Sequence, residues 1–142
     1  MSTRMSQSER EEFLAGVHVA VLSVAAGADR GPLIVPVWYS YQPGGVISVS
    51  TGRDSRKARA VAAAGRLSLC AQDERPPYKY VTIEGPAVIE EITPDERRQL
   101  ARRYLGREQG DAYIDSIPGG DEVAIRITPE RWMSVDFGKD QE

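Results

Sequence analysis

Basic residues concentrate where a predicted strand gives way to a predicted helix, in the stretch STGRDSRKARAVAAAGR at residues 50–66. The chain carries a net charge of −3, yet this stretch holds five cations around one acid, Asp54: Arg53, Arg56, Lys57, Arg59 and Arg66. The first amides of a helix have no partner within the helix, and the helix dipole favours a negative group there. We therefore predict that residues 50–57 hold a phosphate.

The residue types in this stretch suit that role individually. Ser50 and Thr51 offer hydroxyl donors, and Ser55 or the acid before it can cap the helix. Arg56 and Lys57 bring charge into the first turn, where cations disfavour the helix itself by about 0.3–1 kcal/mol each. Such a local break with helix preferences tends to mark function. The alternative is a solvated basic helix face.

Few side chains could act as a base or a nucleophile. A Ser-His-Asp or Cys-His arrangement needs a histidine, and the single histidine, His18, stands within VHVAVLSV, a predicted strand, where we expect a structural role. Cys70 is also alone, which excludes an intrachain disulfide and a Cys-x-x-Cys metal site. We predict no catalytic side chain and no metal ligand, and we expect any chemistry to come from a bound cofactor.

The stretch VPVWYSY could border a flat ring. Pro36 stands in the middle of a predicted strand, where it cannot donate a ladder hydrogen bond, so it requires a sheet edge or a bulge. A planar ligand could lie along that edge, beside Val35 and Val37. The alternative is an ordinary edge strand.

Aromatic residues in two further places are candidates for the same ligand. PPYKY places Tyr78 and Tyr80 on one face of a strand, where they could stack on a ring system, fill a subunit interface or pack across strands. Trp132 could likewise stack on a ring system, fill a subunit interface or pack across strands.

Periodicity and turn residues predict the elements that position these residues. Strands are predicted at residues 17–24, 32–41, 46–51, 66–72, 79–92, 122–129 and 131–137, and helices at 8–16, 55–64, 94–105 and 109–117. The first three strands are predicted to form a meander, and the fifth to break at Gly85-Pro86. Ser8 and Glu11 resemble a capping box for the first helix.

The predicted fold class is mainly β: an antiparallel closed or half-closed barrel of six to seven strands with three or four short peripheral helices. A length of 142 residues suits a single domain spanning residues 1–142. The chain has no apolar run near the length of a membrane span, a polar N-terminus without an apolar signal core, and one cysteine. We expect a cytoplasmic protein that does not contact membranes. The pI of about 5.3 argues against binding nucleic acid.

The order and spacing of four segments resemble the pyridoxamine 5′-phosphate oxidase-like split-barrel flavoproteins: HVAVLSV, PLIVPVWYSY, VISVSTGRDSRKARAVAAAGRLSLCA and YVTIEGPAVI. More narrowly, the chain is similar to the branch that uses the deazaflavin coenzyme F420. The likeness covers residues 17–92 well, and PERWMSVDF fits the last strand more loosely. Its most specific part is Ser-x-Lys at Ser55 and Lys57, followed by an apolar strand.

The resemblance implies a homodimer with two cofactor sites at the subunit interface. Residues that match the phosphate-binding positions are Ser50, Thr51, Ser55, Arg56 and Lys57. The backbone around Val35, Pro36 and Val37 would border the ring, while Tyr78, Tyr80 and Trp132 would come from the partner subunit.

The activity implied is hydride transfer between reduced F420 and a small organic acceptor, with no obligatory side-chain base. The alternatives are an FMN-dependent oxidoreductase of the same fold and a non-catalytic cofactor-binding protein. The longer acidic tail of F420 would favour further cations, for which Arg53, Arg56 and Lys79 are candidates.

Overall fold

The structure, a computed structural model, describes residues 2–117 and 119–141. Seven strands lie in this part of the chain: β1 (Ala20–Val24), β2 (Leu33–Val37), β3 (Ile47–Gly52), β4 (Arg66–Asp73), β5 (Lys79–Glu91), β6 (Glu122–Ile127) and β7 (Arg131–Asp136). The same residues form four α-helices and a final 3-10 helix: α1 (Gln7–Ala15), α2 (Arg56–Ala64), α3 (Pro94–Leu105), α4 (Arg107–Ser116) and Phe137–Gln141. The fold is mainly β, as predicted. None of the helices described here is both long and apolar enough to cross a membrane.

The strands pair antiparallel in the order β2-β1-β4-β5-β6-β3, and β7 adds to β5 beside this path. Strands β2 and β3 are therefore the two ends of the sheet. One isolated bridge links them, in which Ser40 and Ser48 exchange two backbone hydrogen bonds of 3.0 Å. The result is a half-barrel of antiparallel strands, which confirms the predicted split barrel.

Strand β5 belongs to both parts of the half-barrel. Its first half pairs with β7 as far as Glu84, and its second half pairs with β6 from Ala87 onward. A Cβ added to Gly85 would lie 1.8 Å from the carbonyl oxygen of Thr128, so only glycine lets the β6–β7 connection pass at this distance. The predicted break at Gly85-Pro86 is thus a change of partner within a continuous strand.

The interior of the half-barrel is lined by alternate strand residues. Leu22, Leu69 and Ile83 lie side by side on β1, β4 and β5, and all are buried. Val61 of α2 is also fully buried in this core. Burying each such side chain stabilises the fold by roughly 1.5–3 kcal/mol, and this core holds in place the strands from which the site is built.

The predicted meander of the first three strands is wrong. Strand β1 does pair with β2, but β3 pairs along its whole length with β6. Strand β2 ends at Val37 because the backbone of Tyr39 is bonded to α3 instead: its amide donates to the Tyr104 hydroxyl at 3.0 Å, and its carbonyl accepts from Arg103 at 3.0 Å. Beyond β2, only Ser40 among the described residues of this connection bonds to β3, through the isolated bridge to Ser48.

The cap of α1 also differs from the prediction. Ser6, rather than Ser8, caps the helix, and the reciprocal hydrogen bonds of a capping box join Ser6 to Glu9. Glu11 has another task, because its carboxylate accepts from the Tyr41 hydroxyl and from the Gly44 amide, each at 2.8 Å. Glu9 and Glu11 each stand three residues after a serine, which is the spacing of a capping box. Only tertiary contacts therefore decide which of the two glutamates forms it.

Candidate functional site

The corner between β3 and α2 is held by two hydroxyl groups. The Ser55 side chain accepts from the Ala58 amide at 3.1 Å, which makes Ser55 the cap of α2. The Thr51 hydroxyl lies 3.0 Å from the Ser55 hydroxyl and is almost fully buried. These two predicted phosphate ligands therefore shape the corner, and their hydrogen-bonding capacity is partly used within the protein.

The start of α2 is positive and open. The amides of Arg56 and Lys57 have no acceptor among the residues that the structure describes, and the first turn contains no acid. Arg56 is exposed and Lys57 is half-buried. Neither forms an ion pair within the described chain. Two free amides and two uncompensated cations are the features that favour an anion at a helix N-terminus.

A cavity of about 460 Å³ opens beside this corner, between the ends of β2 and β3 and the helices α3 and α4. Its polar part is lined by Ser50, Thr51, Gly52, Lys57, Arg97 and Glu122. Its other lining residues are aliphatic or aromatic: Val19, Pro36, Val37, Trp38, Leu100, Ala101, Tyr113, Ile114 and Ile117. The volume and the mixture of polar and apolar lining residues suit a small molecule with both an apolar part and an anionic group.

Two aromatic rings form part of the apolar wall, and a third packs against one of them. Trp38 stacks on Tyr104 with ring centroids 4.9 Å apart and planes 5° apart, and Tyr113 packs against Trp38 at 6.0 Å. Trp38 and Tyr113 line the cavity directly, while Tyr104 supports Trp38 from behind. Offset stacking of this kind stabilises by about 0.5–1.5 kcal/mol beyond the area buried, so the orientation of Trp38 is well fixed.

Helix α3 is attached to the half-barrel through backbone groups of other elements. The Tyr104 hydroxyl donates to the His18 carbonyl at 2.6 Å, and burial raises the pKa of this phenol. The Arg103 guanidinium donates to the carbonyls of Ala15 and Gly16, at 2.9 and 2.7 Å. These bonds place α3 against the cavity.

Helix α4 is attached mainly to α3. Asp111 accepts from Arg102 at 2.7 and 3.0 Å and from Arg98 at 3.0 Å. Hydrogen bonds from Arg102 and then Arg98 lower the pKa of the Asp111 carboxyl to about 2. A Cβ on Gly110 would lie 2.7 Å from the Arg102 backbone, so the two helices are in very close contact. This hairpin supplies the aliphatic side of the cavity.

The structure brings five of the predicted site residues to the cavity: Pro36, Val37, Ser50, Thr51 and Lys57. The Ser50 hydroxyl donates to the Glu122 carboxylate at 2.5 Å. Pro36 lies in the end strand β2, as its sequence position requires, and it is exposed. The corner at the start of α2 and the proline edge of β2 thus border one cavity.

Six predicted site residues do not line the cavity within this subunit: Val35, Ser55, Arg56, Tyr78, Tyr80 and Trp132. Val35 packs against the core. Tyr78 is exposed just before β5, and Tyr80 is half-buried. Trp132 pairs with Ile83 on the inner side of the sheet, where Arg10 lies 4.9 Å from its ring.

The cations expected to serve an acidic tail are placed differently from one another. Arg53 forms a two-pronged ion pair with Glu91, both distances being 2.8 Å. Lys79 lies 5.7 Å from the Phe13 ring and borders a separate shallow depression. Arg56 stays at the open start of α2.

Residues that the sequence interpretation missed contribute most of the cavity wall. Arg97, Leu100 and Ala101 of α3 follow the spacing of one helix face, on which Arg97 is a charged residue among apolar ones. That pattern was readable in the sequence. Glu122 carried no comparable signal, because its role depends on the pairing of β3 with β6.

His18 lies outside the lining of this cavity. It precedes β1, with its Nε2 atom 3.0 Å from the Phe13 carbonyl and its ring stacked on Phe13 at 4.3 Å. Burial lowers the pKa of its imidazole. The contacts are those of a structural residue.

A family model described as pyridoxamine 5′-phosphate oxidase matches residues 6–136. No curated protein sequence matches the chain. Among solved structures, a conserved hypothetical protein of Mycobacterium tuberculosis is 24% identical, with a TM-score of 0.79 over 100% of this chain and 92% of that one.

Two other structures with similar folds have names that mention a cofactor. One described as an F420 reductase is 20% identical, with a TM-score of 0.68, over 87% of this chain and 94% of that one. A FAD-binding protein of Mesorhizobium loti is 20% identical, with a TM-score of 0.65, over 92% of this chain and 94% of that one. At these identities the likeness concerns the fold.

Proposed function

Because the chain belongs to the pyridoxamine 5′-phosphate oxidase family, we propose that it is an oxidoreductase that binds F420 and transfers a hydride between the reduced cofactor and a small organic acceptor. The observation that carries the proposal is that the positive start of α2 and the aromatic wall around Trp38 border one cavity. A phosphate and a planar ring on the same molecule would satisfy both.

The anionic end of the cofactor would lie at α2. The free amides of Arg56 and Lys57 point out of the first turn, and the Lys57 ammonium lines the cavity. Thr51 and Ser55 keep this corner in shape through their mutual contact. A charge-assisted hydrogen bond to a phosphate is worth roughly 1.5–3 kcal/mol, so Lys57 is the side chain expected to contribute most.

The ring would border the apolar part of the cavity, along Pro36 and Val37 and beside Trp38. When bound, the deazaflavin ring supplies the carbon that carries the hydride. The protein's part is to hold an acceptor against that ring and to exclude water from the contact. We assign no catalytic side chain.

A second subunit would complete this site. On the outer side of the sheet, Pro36, Val21 and Met133 stand in one row across β2, β1 and β7, with Cys70 and Thr82 between them. Val21 is 41% and Met133 56% exposed. Large apolar side chains exposed on one side of a sheet favour a protein contact, and because Pro36 also lines the cavity, a partner on this face would reach the ligand.

The proposal is tested by titrating the purified protein with F420 and, separately, with FMN, while following the fluorescence of the two tryptophans, Trp38 and Trp132, and of the cofactor. We expect tight binding of F420. In a second assay, in which F420 is supplied already reduced, we expect it to be reoxidised when a quinone is added as the hydride acceptor. Binding of FMN but not F420 would reverse the choice of cofactor. Binding without any acceptor-dependent reoxidation would support the non-catalytic alternative, and binding of neither would overturn the proposal.

A further inference from the structure

Arg97 is a buried cation on the wall of the cavity. It lies in the first turns of α3, and only 8% of its side chain is exposed. A guanidinium does not lose its proton in proteins, so the side chain carries its charge into a mostly apolar surrounding. Burying an ion without hydrogen-bonding partners is costly, and the position therefore requires an explanation.

One edge of the Arg97 guanidinium has no hydrogen-bond partner. Both Nε and Nη2 are buried, and no acceptor for either atom exists among residues 2–117 and 119–141. These two nitrogens form the edge that grips carboxylates elsewhere in this chain: Nε and Nη2 of Arg102 both donate to Asp111, and those of Arg75 both donate to Asp73. In Arg97 the same fork is unfilled.

Glu122 is near this edge but does not fill it. Its Oε2 atom lies 3.0 Å from Nε of Arg97, off the direction of the N–H bond, so the contact is an ion pair without a hydrogen bond. The same oxygen accepts from the Ser50 hydroxyl at 2.5 Å. Glu122 thus lies beside the guanidinium as an ion-pair partner and leaves its Nε and Nη2 atoms without a hydrogen bond to the described residues.

The electrostatic balance of the cavity also favours an anion there. Its lining contains two cations, Lys57 and Arg97, and one carboxylate, Glu122. The start of α2 adds the positive end of a helix dipole. A planar, two-pronged donor is matched to carboxylate and phosphate oxygens.

We propose that Arg97 is a binding residue for an oxyanion, a carboxylate or phosphate group of the small molecule in the cavity, which it receives on its guanidinium group. The inference deepens the proposed function and rests on it only in that the cavity holds a small molecule. Arg97 would distinguish anionic ligands from neutral ones of the same shape.

The test compares three variants with the wild-type protein. Arg97→Gln removes charge and fork, Arg97→Lys keeps the charge alone, and Glu122→Gln removes the competing carboxylate. Arg98→Lys is the control, since Arg98 is the next residue of α3 and pairs with Asp111 and Asp115 on α4. The probes are inorganic phosphate, FMN, F420 and riboflavin, which has no anionic group. Circular dichroism and thermal melting without ligand establish that each variant is folded.

We expect Arg97→Gln and Arg97→Lys to bind at least one anionic probe about ten-fold or more weakly than the wild type. Their affinity for riboflavin should be unchanged, and Arg98→Lys should bind every probe with wild-type affinity. Lower affinity of the Arg97 variants for both FMN and F420 would place the cofactor phosphate at Arg97. Lower affinity for F420 alone would place the acidic tail of F420 there. Loss of phosphate binding to the F420-loaded protein alone would indicate an oxyanion of the substrate.

Unchanged affinity for every anionic probe would overturn the inference, leaving Arg97 as the structural partner of Glu122. If Arg97→Gln does not fold, Arg97→Lys decides by the same comparison. Glu122→Gln should bind anions more tightly, because it removes a carboxylate from the cavity lining. The proposed function fails separately, through absence of cofactor binding by the wild type. In that case, the oxyanion site would still be supported if inorganic phosphate raised the melting temperature of the wild type but not that of the Arg97 variants.

Discussion

Lys57 differs from the other basic residues of its stretch in what surrounds it. Arg53 is held by Glu91 and Arg66 by Glu130, so both belong to surface ion pairs, which contribute little. Lys57 reaches the cavity and has no carboxylate partner in the described chain. The basic stretch is therefore a mixture of a solvated face and one directed cation.

Lys57→Ala should weaken cofactor binding by about ten-fold or more, because it removes a charge-assisted contact worth roughly 1.5–3 kcal/mol. Fluorescence titration with F420 and FMN measures the effect. Arg59→Ala is the matched control, since Arg59 is exposed on the same helix and should leave both affinity and thermal stability unchanged. Equal affinity for Lys57→Ala and the wild type would show that Lys57 is only part of the solvated face.

The structure of the corner between β3 and α2 was predictable because its signals are local. A cap, two free amides and two cations stand within a few residues, and helix physics interprets them together. The other side of the cavity was not predictable in the same way. Arg97 and Glu122 are close only because α3 returns to the end of β3, and no short-range pattern encodes that contact.

At the scale of elements, the ends of α2 and the start of α3 follow from their capping residues, and β4 begins directly after the residue that ends α2. Ser55 caps α2, Gly65 ends it in the left-handed conformation at φ 71°, and Thr93 caps α3 before Pro94. The partner of β3 does not follow from such signals, since β3 could satisfy its hydrogen bonds with any strand. The choice depends on how the bonds from α3 to Tyr39 end β2.

Gly110→Ala tests how closely α4 must approach α3. In a helix, alanine is favoured over glycine by about 0.5–1 kcal/mol, so propensity alone predicts stabilisation. The added Cβ would lie 2.7 Å from the Arg102 backbone, and overpacking costs typically about 1–3 kcal/mol. We expect net destabilisation in urea unfolding, with weaker ligand binding because Tyr113 and Ile114 move with α4.

The control for this substitution is Ala112→Gly, at an exposed position of the same helix. Its effect should be limited to the propensity difference of about 1 kcal/mol, with ligand affinity preserved. A stabilised Gly110→Ala protein would mean that the α3–α4 contact is looser than the structure indicates.

At the scale of the whole molecule, the two sides of the sheet have different characters. The inner side carries the fully buried residues Leu22, Leu69 and Ile83. An antiparallel sheet with one side in water normally carries polar residues there. Here the outer side carries polar residues such as Ser23, Ser68 and Glu84, and beside them the exposed apolar residues Val21 and, from β2, Ile34, which is 61% exposed. Tyr80 pairs with Val135 on this same side, where a partner subunit would meet it.

Val21→Glu should convert a homodimer into monomers. Val21 stands between Pro36 and Cys70 in the outer row, so a carboxylate there would be buried without a partner in the dimer and solvated in the monomer. Sedimentation velocity measures the change, and Val46→Glu is the control because Val46 is 45% exposed but precedes β3, outside the row. Cofactor affinity should fall with Val21→Glu alone, since a site completed by the partner is lost on dissociation. A monomeric wild type, or a Val21→Glu protein that remains dimeric, would contradict the assignment of this face.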